Sequence, residues 1–159
     1  MAKDQKYEDV YNRLAEFFSH YSPSLDRIAI MATINSLVKS AFPSIIFVGF
    51  YIVREVEGDL RLEVGPYQGP VLACARIYMG KGVCGTSAME RRVVMVPDVT
   101  KFEGYIACDS ETKSELVIPV FKGDDVMAVL DVDAVEVNYF DEVDKIWLGK
   151  ILEFLRISN

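Results

Sequence analysis

Glu115-Leu116-Val117-Ile118-Pro119-Val120-Phe121, then Lys122-Gly123-Asp124-Asp125, then Met127-Ala128-Val129-Leu130-Asp131-Val132-Asp133: two apolar runs flank a polar turn that contains a glycine. This pattern predicts an antiparallel hairpin. Side chains alternate across a strand. Leu116, Ile118 and Val120 therefore share one face of the first strand, and Glu115, Val117 and Pro119 the other. In the second strand Ala128, Leu130 and Val132 oppose Met127, Val129, Asp131 and Asp133. Two carboxylates two residues apart on one face lie about 7 Å from each other. The hairpin brings Glu115, Asp131 and Asp133 to one end of one sheet face. A lone acid in such a place is ordinarily solvated. These three end strongly apolar strands, so the face is mixed apolar and acidic, as suits a small amphipathic cation.

Working outward, residues 45–53 are β-branched and aromatic, and Glu57-Gly58-Asp59 turns them into a partner strand at 60–64. Further strands are expected at 73–77 and 93–96, separated by a glycine loop opening into a short helix over 80–90. Residues 97–113 are polar and aperiodic, and a loop of that length inside a compact domain is usually functional. Tyr7, Val10, Tyr11, Leu14, Phe17 and Phe18 form a stripe at helical spacing near the start. Ser22-Pro23-Ser24 can cap a second helix running to about Phe42, with Leu25, Ile28, Met31, Ala32, Leu37 and Val38 inward. Pro43 ends it. Asp141 begins a last helix with Val143, Ile146, Trp147, Ile151, Phe154 and Leu155 inward, and Asp141 and Glu142 suit the positive end of its dipole. Helices at the ends and strands between predict an α+β fold. It would be an antiparallel sheet of about six strands, with terminal helices on one face and pocket loops on the other.

The 159 residues suit one domain, and 51% hydrophobic content suits a packed core. No apolar run approaches the roughly 18 residues needed to cross a bilayer, and the charged first residues lack a signal-peptide core. A cytoplasmic location is expected, where thiols stay reduced. The net charge is -7, and Arg91-Arg92 is the densest basic pair. Neither nucleic acid nor a membrane is an expected partner.

Three cysteines remain to be explained. Cys74 shares a face of the 73–77 strand with Arg76, which places it off the main core. Cys84, in Gly80-Lys81-Gly82-Val83-Cys84, lies near a helix start, where free N–H groups stabilise a thiolate. Cys108 follows Gly104-Tyr105-Ile106-Ala107 and precedes Asp109-Ser110, so a loop presents it. Singly, each would more often be an inert, half-buried thiol than a reactive one; together with the acids they favour chemistry. His20, the one histidine, falls on the first helix, so a Cys–His hydrolytic pair is not expected. Zinc would need a fourth ligand and there is no C-x-x-C spacing, so no metal is expected. No phosphate-binding glycine motif is present. Thiol redox chemistry is what remains: a thiolate becomes a sulfenic acid and a second thiol resolves it. Clustered carboxylates raise one another's pKa, so one can stay protonated as a donor.

At these residues the chain resembles the free methionine-(R)-sulfoxide reductases, single GAF domains. The matching segments are Gly49-Phe50-Tyr51, Gly65-Pro66-Tyr67-Gln68-Gly69, Ala73-Cys74-Ala75-Arg76-Ile77 and Gly80-Lys81-Gly82-Val83-Cys84-Gly85-Thr86. After these come Val96-Pro97-Asp98-Val99, Ile106-Ala107-Cys108-Asp109-Ser110, Ser114-Glu115-Leu116-Val117-Ile118-Pro119 and Val129-Leu130-Asp131-Val132-Asp133. The resemblance implies that Cys108 attacks the sulfoxide sulfur and that Cys74 resolves it as a disulfide, with Cys84 an alternative or secondary resolver. It implies that Glu115, Asp131 and Asp133 hold the sulfoxide oxygen and the ammonium group, Glu115 being the expected proton donor. Phe47 and Tyr51 are expected to bind substrate. It further implies that residues 1–159 form a single GAF domain, that no cofactor is bound, that thioredoxin reduces the disulfide, and that pairing through the terminal helices into a homodimer is open.

The chain departs from the family pattern in three places. Phe47 stands where a tryptophan is usual, and still offers an aromatic wall to the methyl end of the substrate. Thr100 and Tyr105 stand where histidines are frequent, so those positions are not expected to be essential. Between Gly69 and Ala73 there is one residue more than usual, which bears on how Cys74 approaches Cys108. The competing reading is a non-catalytic, ligand-sensing GAF module with incidental cysteines. Such modules regulate an attached output domain, and none is expected after the last helix.

Overall fold

The computed structural model of the chain describes residues 1–21 and 25–156. Six strands, β1 (Ile45–Val56), β2 (Asp59–Gln68), β3 (Arg76–Tyr78), β4 (Val94–Val96), β5 (Ser114–Lys122) and β6 (Asp125–Ala134), form one sheet in the order β3-β2-β1-β6-β5-β4. Every neighbouring pair is antiparallel. Both expected hairpins form. The β1–β2 turn places Glu57 and Gly58 at positive φ, 54° and 87°, the requirement of a tight turn whose twist matches the strands. The β5–β6 turn puts Gly123 at φ 60°.

Among the described residues four α-helices accompany the sheet: α1 (Lys3–Tyr21), α2 (Arg27–Ala41), α3 (Gly82–Glu90) and α4 (Glu142–Leu152). The inward stripe of α1 is Tyr7, Val10, Leu14 and Phe18. With α2 and α4 it packs on the face bearing Leu116, Ile118, Val120, Ala128, Leu130 and Val132, and these residues make the main core. The alternation read from the hairpin is found from Ala128 to Asp133, but not at Met127, which packs against the main core while Val126 joins the other face, because the β5–β6 register shifts between Val120 and Phe121.

Asp144 is fully buried and joins the ends of the chain. Its Oδ1 accepts from the Tyr7 hydroxyl at 2.8 Å, and its Oδ2 accepts from Lys3 Nζ at 2.7 Å and from the Asp141 backbone N–H at 2.8 Å. The last of these bonds belongs to a capping box at the start of α4.

Two expectations are corrected, and a third lies outside the described residues. The Ser22-Pro23-Ser24 cap lies outside the described residues; the Asp26 carboxylate caps α2 by accepting from the Ile28 N–H at 2.8 Å. The stripe Ile30, Met31, Ile34 and Val38 sets the phase of α2, turning Ala32 outward and leaving Ile28 exposed at its margin, while Ile146 is exposed on α4. Residues 73–75 are not strand: β3 begins at Arg76, so Cys74 sits in the segment leading into it and shares no strand face with Arg76. That segment carries one ladder-like bond, from the Val64 N–H to the Ala75 carbonyl at 3.1 Å.

No helix among the described residues is long and apolar enough to cross a membrane.

Candidate active site

The opposite sheet face carries a second apolar cluster, with Phe47, Tyr51, Leu62, Val117 and Val129 from the strands and Val83, Cys84 and Ala88 from α3. The acids sit within this layer. In the ladder Glu115 pairs with Asp133 and Val117 with Asp131, while on the other side of β6, Phe47 pairs with Asp133 and Gly49 with Asp131. Glu115, Asp131 and Asp133 are only 6%, 5% and 8% exposed, which rules out the solvated-face reading. Like charges directly opposite one another are destabilising in a sheet, so this arrangement is not one that folding alone would favour.

The aromatic wall is built from β1 and β2. Phe47 stacks on Tyr67 with ring centroids 5.3 Å apart and lies 6.3 Å from Tyr51. Gly49 makes the close approach possible, because a β-carbon there would stand 2.4 Å from Tyr67 Cβ. On the other flank, Gly85 lets α3 sit against the end of β3, where a β-carbon would meet the Tyr78 carbonyl oxygen at 2.3 Å. This seating places the Cys84 thiol 3.9 Å from Glu115 Oε1, with sulfur as donor.

Cys74 and Cys108 are joined as a disulfide, their α-carbons 5.3 Å apart, within the span such a bond requires. Cys108 lines a small cavity of about 20 Å³ together with Phe47, Tyr51, Cys84, Glu115, Asp131 and Asp133, and Cys74 is tied to its edge through the disulfide. The extra residue between Gly69 and Ala73 has not kept the two sulfurs apart. The loop bearing Cys108 is anchored by Asp109, whose carboxylate accepts from the backbone N–H groups of Glu111 (2.6 Å) and Thr112 (2.9 Å) and from the Thr112 hydroxyl (2.8 Å).

Burial dominates the electrostatics. It raises the Glu115 carboxyl well above its ordinary range, and the neighbouring charges of Asp131 and Asp133 raise it further. Asp133 is raised well above its range for the same reasons, burial first and then Asp131. Asp131 reaches about 7: burial raises it, while hydrogen bonds from Cys84 and Glu115 hold it back. Burial also pushes the Cys84 thiol well up, reinforced by the Asp131 and Glu115 charges. The expected thiolate at the start of α3 is thus corrected: Cys84 does lie in the first turn, but burial and three acids outweigh the helix N–H groups. Among the described residues, Asp131 Oδ1 and Asp133 Oδ1 are buried without a hydrogen-bond partner. A site with carboxyls that hold their protons, two unpartnered carboxyl oxygens and a disulfide at its edge can donate a proton, hold a cation and exchange sulfur bonds.

Seven of the eight residues expected from the sequence line this cavity, and the eighth, Cys74, is bonded to one of them, Cys108. Among the further lining residues, the structure adds two with polar side chains, Tyr105 and Asp109. The Asp109-Ser110-Glu111-Thr112 run carries an Asp-turn signal that marks a shaped loop, whereas nothing in the sequence marks Tyr105 as facing the acids. Thr100 lies outside the cavity lining, its hydroxyl and N–H both given to Asp98. His20 is exposed on α1.

The sheet order, the helices backing one face and the pocket on the other make this a GAF domain, and the GAF domain family model matches residues 29–155. The chain is 41% identical to GAF domain-containing protein A of Dictyostelium discoideum, over 98% of this chain and 95% of the relative. It is also 41% identical to the free methionine-R-sulfoxide reductase of Saccharomyces cerevisiae, over 80% of this chain and 73% of the relative. The crystal structure of free methionine-R-sulfoxide reductase from Neisseria meningitidis in complex with its substrate superposes with a TM-score of 0.87 at 34% identity, covering 98% of this chain and 89% of that one. The chain belongs to the free methionine-R-sulfoxide reductases, GAF-domain oxidoreductases that use no bound cofactor.

Proposed function

We propose that Cys108, Cys74 and the three acids divide between them the reduction of free L-methionine (R)-sulfoxide to methionine. The Cys108 thiolate attacks the sulfoxide sulfur while Glu115 protonates the sulfoxide oxygen. Collapse releases methionine and leaves Cys108 as a sulfenic acid, so the oxygen and its oxidising equivalent move to the enzyme. The Cys74 thiol attacks the sulfenic sulfur, the S–O bond breaks, water leaves and the disulfide forms. An external dithiol, for which thioredoxin is the expected carrier, then reduces the disulfide by exchange. Asp131 and Asp133 receive the substrate ammonium on their unpartnered oxygens. Phe47 and Tyr51 flank its methylthio end. A peptide-linked residue has no free ammonium to offer, so the site favours the free amino acid.

The observation that supports this reading is the Cys74–Cys108 disulfide at the edge of a cavity lined by all three acids. A sensing module with incidental cysteines would leave that coincidence without a reason. The test is turnover of free methionine sulfoxide diastereomers with a dithiol reductant. The Cys108→Ser variant is expected to lose methionine formation altogether, and wild-type turnover by that variant would remove Cys108 as nucleophile. Cys84 is buried and keeps its thiol free, and a secondary resolving role for it would show as residual turnover in Cys74→Ser that vanishes when Cys84 is also replaced.

A further inference from the structure

Cys84 Sγ, a Glu115 oxygen and an Asp131 oxygen come from α3, β5 and β6, and all three atoms lie within 4.8 Å of one another. Linear spacing gives no hint of such a group, because the three residues are brought together only by the seating of α3 on the sheet. We propose that this cluster is an inhibitory site for a thiophilic divalent cation of the Zn²⁺ type.

A tetrahedral zinc with bonds of about 2.3 Å to sulfur and 2.0–2.2 Å to oxygen has donor atoms about 3.4–3.6 Å apart. Cys84 Sγ and Glu115 Oε1 already stand 3.9 Å apart, close to that separation. Three protein donors and a water complete a coordination shell, as in zinc sites that keep one position open. A thiol among only three protein donors disfavours calcium and magnesium, which want six or more oxygens.

A second observation points to a cation here. Asp131 Oδ1 and Asp133 Oδ1 are buried without partners among the described residues, and both residues line the same cavity. In the disulfide-bonded form that cavity measures about 20 Å³, room for one water-sized guest and not for an amino acid. An ion of that size fits it, beside Asp133, which lines the same cavity. Binding displaces the proton of Cys84 and those of the carboxyls, so affinity rises with pH. The inhibitory consequence rests on the functional reading above, since a metal there occupies the acids assigned to the ammonium and the oxygen. The binding itself does not depend on that reading.

The disulfide-bonded protein is the form to test, because Cys84 is then its one free thiol. Chelator-treated protein without thiol reductant is titrated with Co²⁺. The expected result is one cobalt per chain with a thiolate-to-cobalt absorption band in the near ultraviolet, displaced by Zn²⁺ and missing in Cys84→Ser. X-ray absorption of the wild-type zinc form should show one sulfur at about 2.3 Å beside oxygens at about 2.0–2.2 Å, a measurement that needs no variant. Absence of the band, its survival in Cys84→Ser, or an all-oxygen shell overturns the site. Sulfoxide turnover is read in neither measurement, so failure of the reductase assignment and failure of the metal site are separate results.

Discussion

Glu115 stands opposite Asp133 in the β5–β6 ladder and takes a sulfur hydrogen bond from Cys84. Its proton is retained because burial and two acidic neighbours oppose ionisation, which is what a donor to a departing oxygen requires. Removing the acid while keeping its shape isolates that role. Glu115→Gln is expected to lower kcat for free methionine sulfoxide by about 10²–10⁴-fold, the usual range for a general acid, with a smaller change in KM. Steady-state kinetics on the free (R)-sulfoxide checks this, and an unchanged kcat moves the donor role elsewhere. Replacing Asp133 by Asn should act on the other parameter, raising KM with little effect on kcat, since its unpartnered oxygen is assigned to the ammonium.

The helices and strands show what can be read in advance. Period-two alternation in β5 and β6 put Glu115, Asp131 and Asp133 on one face, because a strand leaves no other choice once its core side is apolar. Helix phase was less legible: Ile28, Ala32 and Ile146 are apolar yet face away from the core, and hydrophobicity does not say which of two apolar stripes meets the sheet. The alanine-cysteine run before Arg76 carries no breaker, yet β3 begins only at Arg76. The approach of Cys84 to Glu115 depends on contact between elements distant in sequence and was not readable. Neither was the Asp144 cluster, which ties α1 to α4. Within that cluster Tyr7 is the partner of Asp144 Oδ1. Tyr7→Phe should therefore lower stability by about 1.5–3 kcal/mol, the worth of a hydrogen bond to a charged group, measured as a lower urea midpoint with unchanged slope.

At the scale of the whole molecule, a buried acidic cluster makes stability depend on pH. Asp131 titrates near 7 in the folded chain, against about 3.9 in an unfolded one. Between those values the folded state holds a proton that the unfolded state has released. The contribution to stability is thus full below about pH 4 and is lost as pH rises through about 7. Glu115 and Asp133 are shifted in the same direction. Without substrate, the melting temperature should fall from pH 5 to pH 8, and Asp131→Asn should flatten that fall and melt higher than the wild type at pH 8. A flat wild-type profile would contradict the burial of these groups as ionisable acids. The Cys74–Cys108 bridge carries a consequence for the order of events in turnover. It ties up the Cys108 sulfur at the cavity, so an oxidised molecule cannot attack the next sulfoxide until the bridge is cut. The two half-reactions must alternate, which is the ping-pong pattern, and double-reciprocal plots against sulfoxide at several reductant concentrations should run parallel instead of crossing.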